Sequence, residues 1–282
     1  MILMDFSSIM MSSIMPRIDE FEDNINLMRH QIFNTIRMYN SMFREEYGEL
    51  VICMDGKDNW RKKYFPNYKA ARRANRKNSV HDWKMIFEEM SKITNDVKQS
   101  TPYRCVHVER CEADDVIGTI VENWKQPEPI LILSPDGDFV QLQKYPNVKQ
   151  YSNIQKKWVT PKFSPEEDLW NKILKGDVGD GVPNVLSDDD VFVNEGRQTP
   201  LRKGKIEALK EDLEALGTTV ARRVIRNRNL VDLTRTPEDI KQEINEQFAK
   251  PAKGSMMSLM TMFARYEMKV LAESLQDFQT NK

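Results

Sequence analysis

Short apolar runs punctuate the first half of the chain. Met1–Met4 (MILM), Leu50–Met54 (LVICM) and Ile130–Leu133 (ILIL) are too short for helices and are bounded by turn or charged residues, which predicts buried strands. YRCVHV, from Tyr103, reads as a further strand. Between them the period changes. Ile25, Met28, Ile32, Ile36, Tyr39 and Phe43 recur every three or four residues, as an amphipathic helix requires. Ser79 with Asp82 resembles a capping box opening a second helix, whose stripe is Trp83, Ile86, Phe87, Met90, Ile93 and Val97. A third starts near Glu112, carries Val116, Ile117, Ile120 and Val121, and stops before Pro127 and Pro129. Strand alternating with helix predicts an α/β fold with a mainly parallel central sheet flanked by helices. After about Pro165 the strand signals fade. The expected organisation is therefore an α/β catalytic domain over 1–164 and a smaller helical domain over 165–282. The late stripe Met256, Met257, Leu259, Met260, Met262 and Phe263 reads as helical core.

A chain of 282 residues that is 40% hydrophobic can bury a proper core, which excludes a wholly disordered protein. Three cysteines (Cys53, Cys105, Cys111) form no CxxC pair and leave one over, so a disulfide scaffold is excluded and a reducing, intracellular setting is expected. The Met-rich start imitates a signal peptide, but Asp5 interrupts it and no Lys or Arg precedes Arg17. No stretch approaches the roughly 18 apolar residues of a membrane span. Cys105, His107 and Cys111 have loosely metal-like spacing without a fourth ligand nearby, and core packing is the simpler reading. No serine elbow or histidine placement supports a nucleophilic triad.

Net charge is −1, from 42 Lys plus Arg against 43 Asp plus Glu, and predicts no partner. Its distribution does. Nine basic residues and one acid lie between Lys57 and Lys77, interleaved with Trp60, Tyr64, Phe65 and Tyr68. Asp177 to Asp190 holds five aspartates and no base, and Arg197 to Arg228 is again basic, nine to four. Basic, aromatic-laced segments beside concentrated carboxylates suggest phosphate-backbone binding next to a metal site.

The sharpest feature is positional. Asp5 follows ILM, Asp55 follows LVICM, and Asp136 and Asp138 follow ILILSP. Ligands of open α/β sheets bind beyond the carboxyl ends of the strands, so parallel strands ending this way gather acids at one edge. Glu112, Asp114 and Asp115 add to them from a helix start, where Glu112 and Asp115 share a face, and Asp177 and Asp180 add more. So many carboxylates cannot remain ionised together without cations. Oxygen-only ligands favour Mg²⁺, with Mn²⁺ the alternative, over zinc, and two ions roughly 4 Å apart suit in-line attack at phosphorus. A lone aspartate is ordinary at a helix cap or turn; acids after three separate buried strands are harder to ascribe to turns.

The segments LMDFSSI, CMDGKDNWRKKYFPNYK, ERCEADDVIG, LSPDGDFVQLQKYPNVKQYS and ILKGDVGDGV, in this order, resemble the flap endonuclease and 5′–3′ exonuclease superfamily, and within it the ribonuclease H group of T-even-type bacteriophages. The resemblance runs from residue 2 to about 200 and weakens beyond 205. It implies a metal site of Asp5, Asp55, Asp114 and Asp136, and a second of Glu112, Asp138 and Asp180, with Asp115 and Asp177 beside them. It further implies a basic arch over 57–78, in which Lys69 and either Arg61 or Arg72 hold the scissile phosphate. Lys57, Lys62, Lys63 and Arg73 would bind nucleic acid there, and Tyr68 would stack on the terminal base. Gly176, Gly179 and Gly181, within a helix-hairpin-helix-like stretch near 174–190, would grip duplex backbone, with K⁺ as an accessory ion. Here Asn184 follows Pro183 where the motif commonly has glycine, and the acidic LSDDD run comes next. The implied activity is two-metal hydrolysis that leaves 5′-phosphorylated products. Its substrates would be duplex DNA or RNA–DNA hybrid with a single-stranded 5′ end or flap, cut to remove RNA primers and adjoining DNA from lagging-strand fragments. The enzyme would act as a monomer in the cytoplasm of a phage host, contacting a single-strand binding protein or sliding clamp. A non-catalytic structure-specific binding protein of this fold is the rival reading; such a protein should have lost a carboxylate, and none of the expected ones is missing.

Overall fold

The computed structural model describes residues 1–77, 79–124, 127–211 and 217–280, leaving aside the side chains of 22, 23, 73–75, 77, 210 and 211. Six strands, β1 (Ile2–Asp5), β2 (Leu50–Met54), β3 (Arg104–His107), β4 (Ile130–Leu133), β5 (Val148–Ser152) and β6 (Lys157–Val159), form one sheet in the order β3-β2-β1-β4-β5-β6. All neighbours are parallel except β5 and β6. The chain leaves β1 to one side for β2 and later returns to its other side for β4. That reversal of strand order opens a crevice at the carboxyl ends of β1 and β4. β5 and β6 escape the apolar-run reading because they are half polar: VKQYS alternates buried and solvated positions, and KWV is a three-residue edge strand.

The helices are α1 (Phe6–Ile14), α2 (Ile18–Asp23), α3 (Ile25–Tyr47), α4 (Trp60–Tyr64), α5 (Ala70–Lys77), α6 (Trp83–Ser100), α7 (Ala113–Asn123), α8 (Pro165–Lys175), α9 (Lys203–Glu211), α10 (Gly217–Val231), α11 (Glu238–Phe248), α12 (Met256–Arg265) and α13 (Lys269–Glu273). Asp82, rather than Ser79, caps α6, accepting a hydrogen bond from the Met85 N–H at 3.0 Å. Both sheet faces are covered, as buried parallel strands require. Ile2, Met4, Ile52 and Leu131 face a layer containing α1, α3 and α6, while Leu3, Val51, Val106 and Ile132 face α7 and α11.

The residues after 165 do not gather into one helical body. Ile173, Leu174, Val182, Val185, Val224 and Leu230 enclose a third core with Phe65 and Tyr68 of the basic segment. α11 instead covers the α7 side of the sheet, and α12 and α13 pack against α6 and α3. The apolar stripes of these last helices lack partners in the small core and find them on the larger sheet layer. α12 buries only half of its predicted stripe: Leu259, Met262 and Phe263 are inside, whereas Met257 and Met260 are exposed.

Candidate metal centre and nucleic-acid interface

Asp5 ends β1 and caps α1, accepting from the Ser8 N–H at 3.0 Å and from Ser134 Oγ, at the end of β4, at 2.8 Å. Burial, then the neighbouring Asp55, push its carboxyl up to about 7. Asp55 opens to the cleft but lies deep among protein atoms, and accepts from the Ala113 N–H at 2.7 Å. That desolvation, with Glu112 beside it, raises its carboxyl too. Asp136 caps a 3₁₀ segment (Gly137–Lys144) through the Asp138 N–H at 2.9 Å. Asp114, Asp136 and Asp138 each offer an oxygen within 4.8 Å of the others. Burial, Asp136 and Glu112 hold the Asp114 carboxyl well above its ordinary range. These acids lie at the switch point, in or beside a cleft of about 660 Å³ that also takes in Lys62, Lys69, Arg72 and Arg76.

Cations already approach the carboxylates. Lys69 Nζ lies 2.6 Å from Glu112 Oε1 and 3.7 Å from Asp180 Oδ2. Burial opposes ionisation of Glu112, but Lys69 and Arg61 outweigh it and lower its carboxyl. Arg72 Nη2 is 2.6 Å from Asp180 Oδ1, and its Nε donates to the Gly179 carbonyl at 3.0 Å. Lys172 pairs with Asp138 and, at 2.7 Å, with Asp177. Burial raises Asp177, yet Lys172 overrides it, leaving a net lowering. Sequence reasoning missed Lys172, which reads as an ordinary cation in the last turn of a helix. Its only signal is its place one helical turn before the KGD segment.

The arch and the turn after α8 are tied together. Lys69 has φ 56° and donates its backbone N–H to the Asp180 carbonyl at 2.7 Å. A lysine in the left-handed region is strained, and here it holds its ammonium over Glu112. Gly176 (φ 71°) is needed for the turn, because a Cβ there would lie 2.2 Å from the Val182 carbonyl oxygen. Gly181 also has φ 71°, with the Asn67 carbonyl 3.0 Å from its would-be Cβ, whereas Gly179 lies near Asp177 and Arg72 with φ outside that region.

Several expected roles meet a different geometry. Asp115 is fully buried, facing Arg61 Nη1 at 2.6 Å, Thr236 Oγ1 at 2.6 Å and Trp60 Nε1 at 3.2 Å, and it closes the α7 capping box on the Glu112 N–H. It therefore points into the protein, while Asp114 faces the other carboxylates. Arg61 is 2% exposed, donates to the Leu230 carbonyl at 2.8 Å and is held in its charged form by Asp115, so it cannot reach a phosphate. Tyr68 is also 2% exposed; its hydroxyl serves Glu112 at 2.9 Å and Asp180 at 2.8 Å, which leaves no ring face for a base. Lys57, Lys62 and Lys63 are exposed, while the side chain of Arg73, on α5, lies outside the described residues. No helix follows the turn directly, because 183–202 is irregular. Pro183 cannot donate there, and Asp188 and Asp189 pair with Arg222, Arg223 and Arg226 of α10. That pairing neutralises the acidic run. Cys105, His107 and Cys111 do not form a metal cluster among the described residues.

Residues 1–167 match the family described as 5′-3′ exonuclease, N-terminal resolvase-like domain, and residues 163–278 match the T4 RNase H C-terminal family. The Ribonuclease H of Enterobacteria phage T4 is 34% identical, over 98% of this chain and 95% of its own length. A bacteriophage T5 protein co-crystallised with metal ions superposes with a TM-score of 0.62 at 18% identity, covering 88% of this chain and 99% of that one. The T5 flap endonuclease in a pseudo-enzyme-product complex with DNA and metal ions gives 0.61 at 17% identity, with the same coverage. At such identity these two matches speak for the fold. With the family match spanning more than half the residues and the phage relative aligned along nearly all of them, the chain belongs to the 5′–3′ exonuclease family.

Proposed function

We propose that this protein hydrolyses phosphodiester bonds at single-stranded 5′ ends and flaps joined to duplex DNA or RNA–DNA hybrid, with two Mg²⁺ ions or Mn²⁺ in their place. The observation that carries this reading is the convergence of Asp114, Asp136 and Asp138 within 4.8 Å at the switch point. The residues present suit divalent ions. Their donors are all oxygen, and Asp5, Asp55 and Asp114 resist joint ionisation without added positive charge. Asp5, Asp55, Asp114 and Asp136 would hold one ion; Glu112, Asp138 and Asp180, with Asp177 behind, would hold the second.

Bound there, the ions would activate the attacking water and offset charge on the leaving 3′ oxygen, which yields 5′-phosphorylated products. Lys69 and Arg72 would exchange their carboxylate partners for the scissile phosphate and stabilise its developing charge. Asp115, Arg61 and Tyr68 would position the arch and not touch substrate. Exposed Lys57, Lys62 and Lys63 would contact phosphate without reading bases. No potassium ion is included, since irregular backbone replaces the second helix of a hairpin motif. The name of the T4 relative supports cleavage of RNA–DNA hybrid, and with it the removal of primers.

Asp136→Asn tests the metal assignment. Cleavage of a labelled 5′-flap substrate in Mg²⁺ should fall roughly 100-fold or more, about 3 kcal/mol of transition-state stabilisation. A wild-type rate would overturn it.

A further inference from the structure

Edge strand β3 carries a cavity that the nuclease reading does not use. It has a volume of about 230 Å³ and lies between β3, the end of α6 and the segment after α11. Its walls include Lys98, Tyr103, His107, Gln247, Lys250 and Lys253, and no acidic side chain lines it. Lys98 Nζ donates to His107 Nδ1 at 2.9 Å, so that ring nitrogen accepts and the imidazole is neutral in this contact. Glu109 approaches the far ring nitrogen only at 4.0 Å and does not line the cavity. Gln247 Oε1 accepts the His107 backbone N–H at 3.1 Å, which turns its amide NH₂ to other use. Among the described residues, no carboxylate forms an ion pair with any of the three lysines, whereas Arg104, Arg110 and Lys241 each have one.

Three lysines line this concave site with no acidic side chain among them, so its local charge is positive and favours an anion. The donors present are lysines and an amide, the set that binds phosphate oxygens as point charges. Placement limits the source of the anion. Lys98 lies on α6 eight residues beyond Met90, which lines the metal cleft, so about 12 Å of helix axis separates a residue of one wall from a residue of the other. That is a span of a few nucleotides.

We infer that this cavity is an accessory phosphate-binding pocket. It takes a phosphate oxyanion, either from the backbone of a nucleic acid engaged at the cleft or as a free phosphate. Its existence does not depend on the nuclease reading, because free phosphate can be detected without nucleic acid.

The test uses the full chain and Lys250→Glu/Lys253→Glu, two exposed positions remote from the carboxylates, with Lys253→Gln as a milder variant should the double change fail to fold. In one arm, inorganic phosphate is titrated and followed by the His107 ring resonances. In the other, a 5′-flap DNA is bound in EDTA at several salt concentrations. Saturable phosphate shifts in the wild type, weakened tenfold or more in the variant, support the pocket. If flap affinity also falls and the salt dependence drops by about one counterion, the source is the nucleic-acid backbone. A phosphate response with unchanged flap binding identifies free phosphate as the source. If neither phosphate nor flap binding distinguishes wild type from variant, the inference fails, whatever Asp136→Asn does to cleavage.

Discussion

Asp115 and Asp114 are sequence neighbours of the same chemical type with opposite fates. Asp115 looks inward and satisfies Arg61, Thr236, Trp60 and its own helix cap, while Asp114 looks outward to Asp136. Removing one partner of a buried pair leaves the other charge uncompensated. Asp115→Ala should therefore lower unfolding stability by about 3–5 kcal/mol in a urea melt, while Asp114→Ala should leave stability unchanged or raise it, since it removes an acid that resists ionisation. If Asp115→Ala instead kept full stability and lost only cleavage, Asp115 would be a ligand rather than a support. Sequence spacing put Asp115 on the face of Glu112 and Asp114 off it, but did not say which of the two meets the other carboxylates. It places both in the first turn of a helix, and only the neighbours packed around that turn decide which one meets solvent.

Among the elements, the turn after α8 depends on backbone conformation more than on side chains. Gly176 has φ 71° and no room for a Cβ against Val182. Gly176→Ala should cost at least about 1 kcal/mol from the left-handed backbone alone, with a further loss as the turn opens, and should weaken duplex binding. Gly204, near the start of α9, meets nothing within 4 Å, so Gly204→Ala should be neutral or stabilising when both variants are compared in a urea melt. The glycine-rich KGDVGDG segment thus signalled a tight turn correctly. The helix expected after it is absent because the aspartates of LSDDD meet the arginines of α10, a pairing between residues more than 30 positions apart.

For the whole molecule, the carboxylate pocket sets a pH dependence. Asp5, Asp55 and Asp114 all have carboxyls raised in the folded state, Asp5 to about 7. Between the ordinary carboxyl range and that value, the folded chain binds more protons than the unfolded one, so stability falls as pH rises through this window. Glu112 and Asp177 are shifted down and act oppositely, losing stability only below the ordinary range. In EDTA the melting temperature should therefore drop from pH 5 to pH 7.5, and Mg²⁺ should remove most of that drop, because cations that bind only the folded, ionised pocket stabilise it. A melting temperature that rises over this range in EDTA would contradict the crowding of these acids.

Local pattern was enough for the strand–helix alternation, the aspartates that end β1, β2 and β4, and the basic segment before α6, because strand burial and helical period are written in adjacent residues. The half-polar strands β5 and β6, the inward turn of Asp115 and Arg61, the burial of Tyr68, the approach of Lys172 to Asp138 and the return of α12 to the sheet were settled only in three dimensions. Apart from the β5–β6 hairpin, each joins residues far apart in the chain, and the direction of a charged side chain depends on which distant partner offers it a counter-charge. One-dimensional periodicity carries no record of that choice.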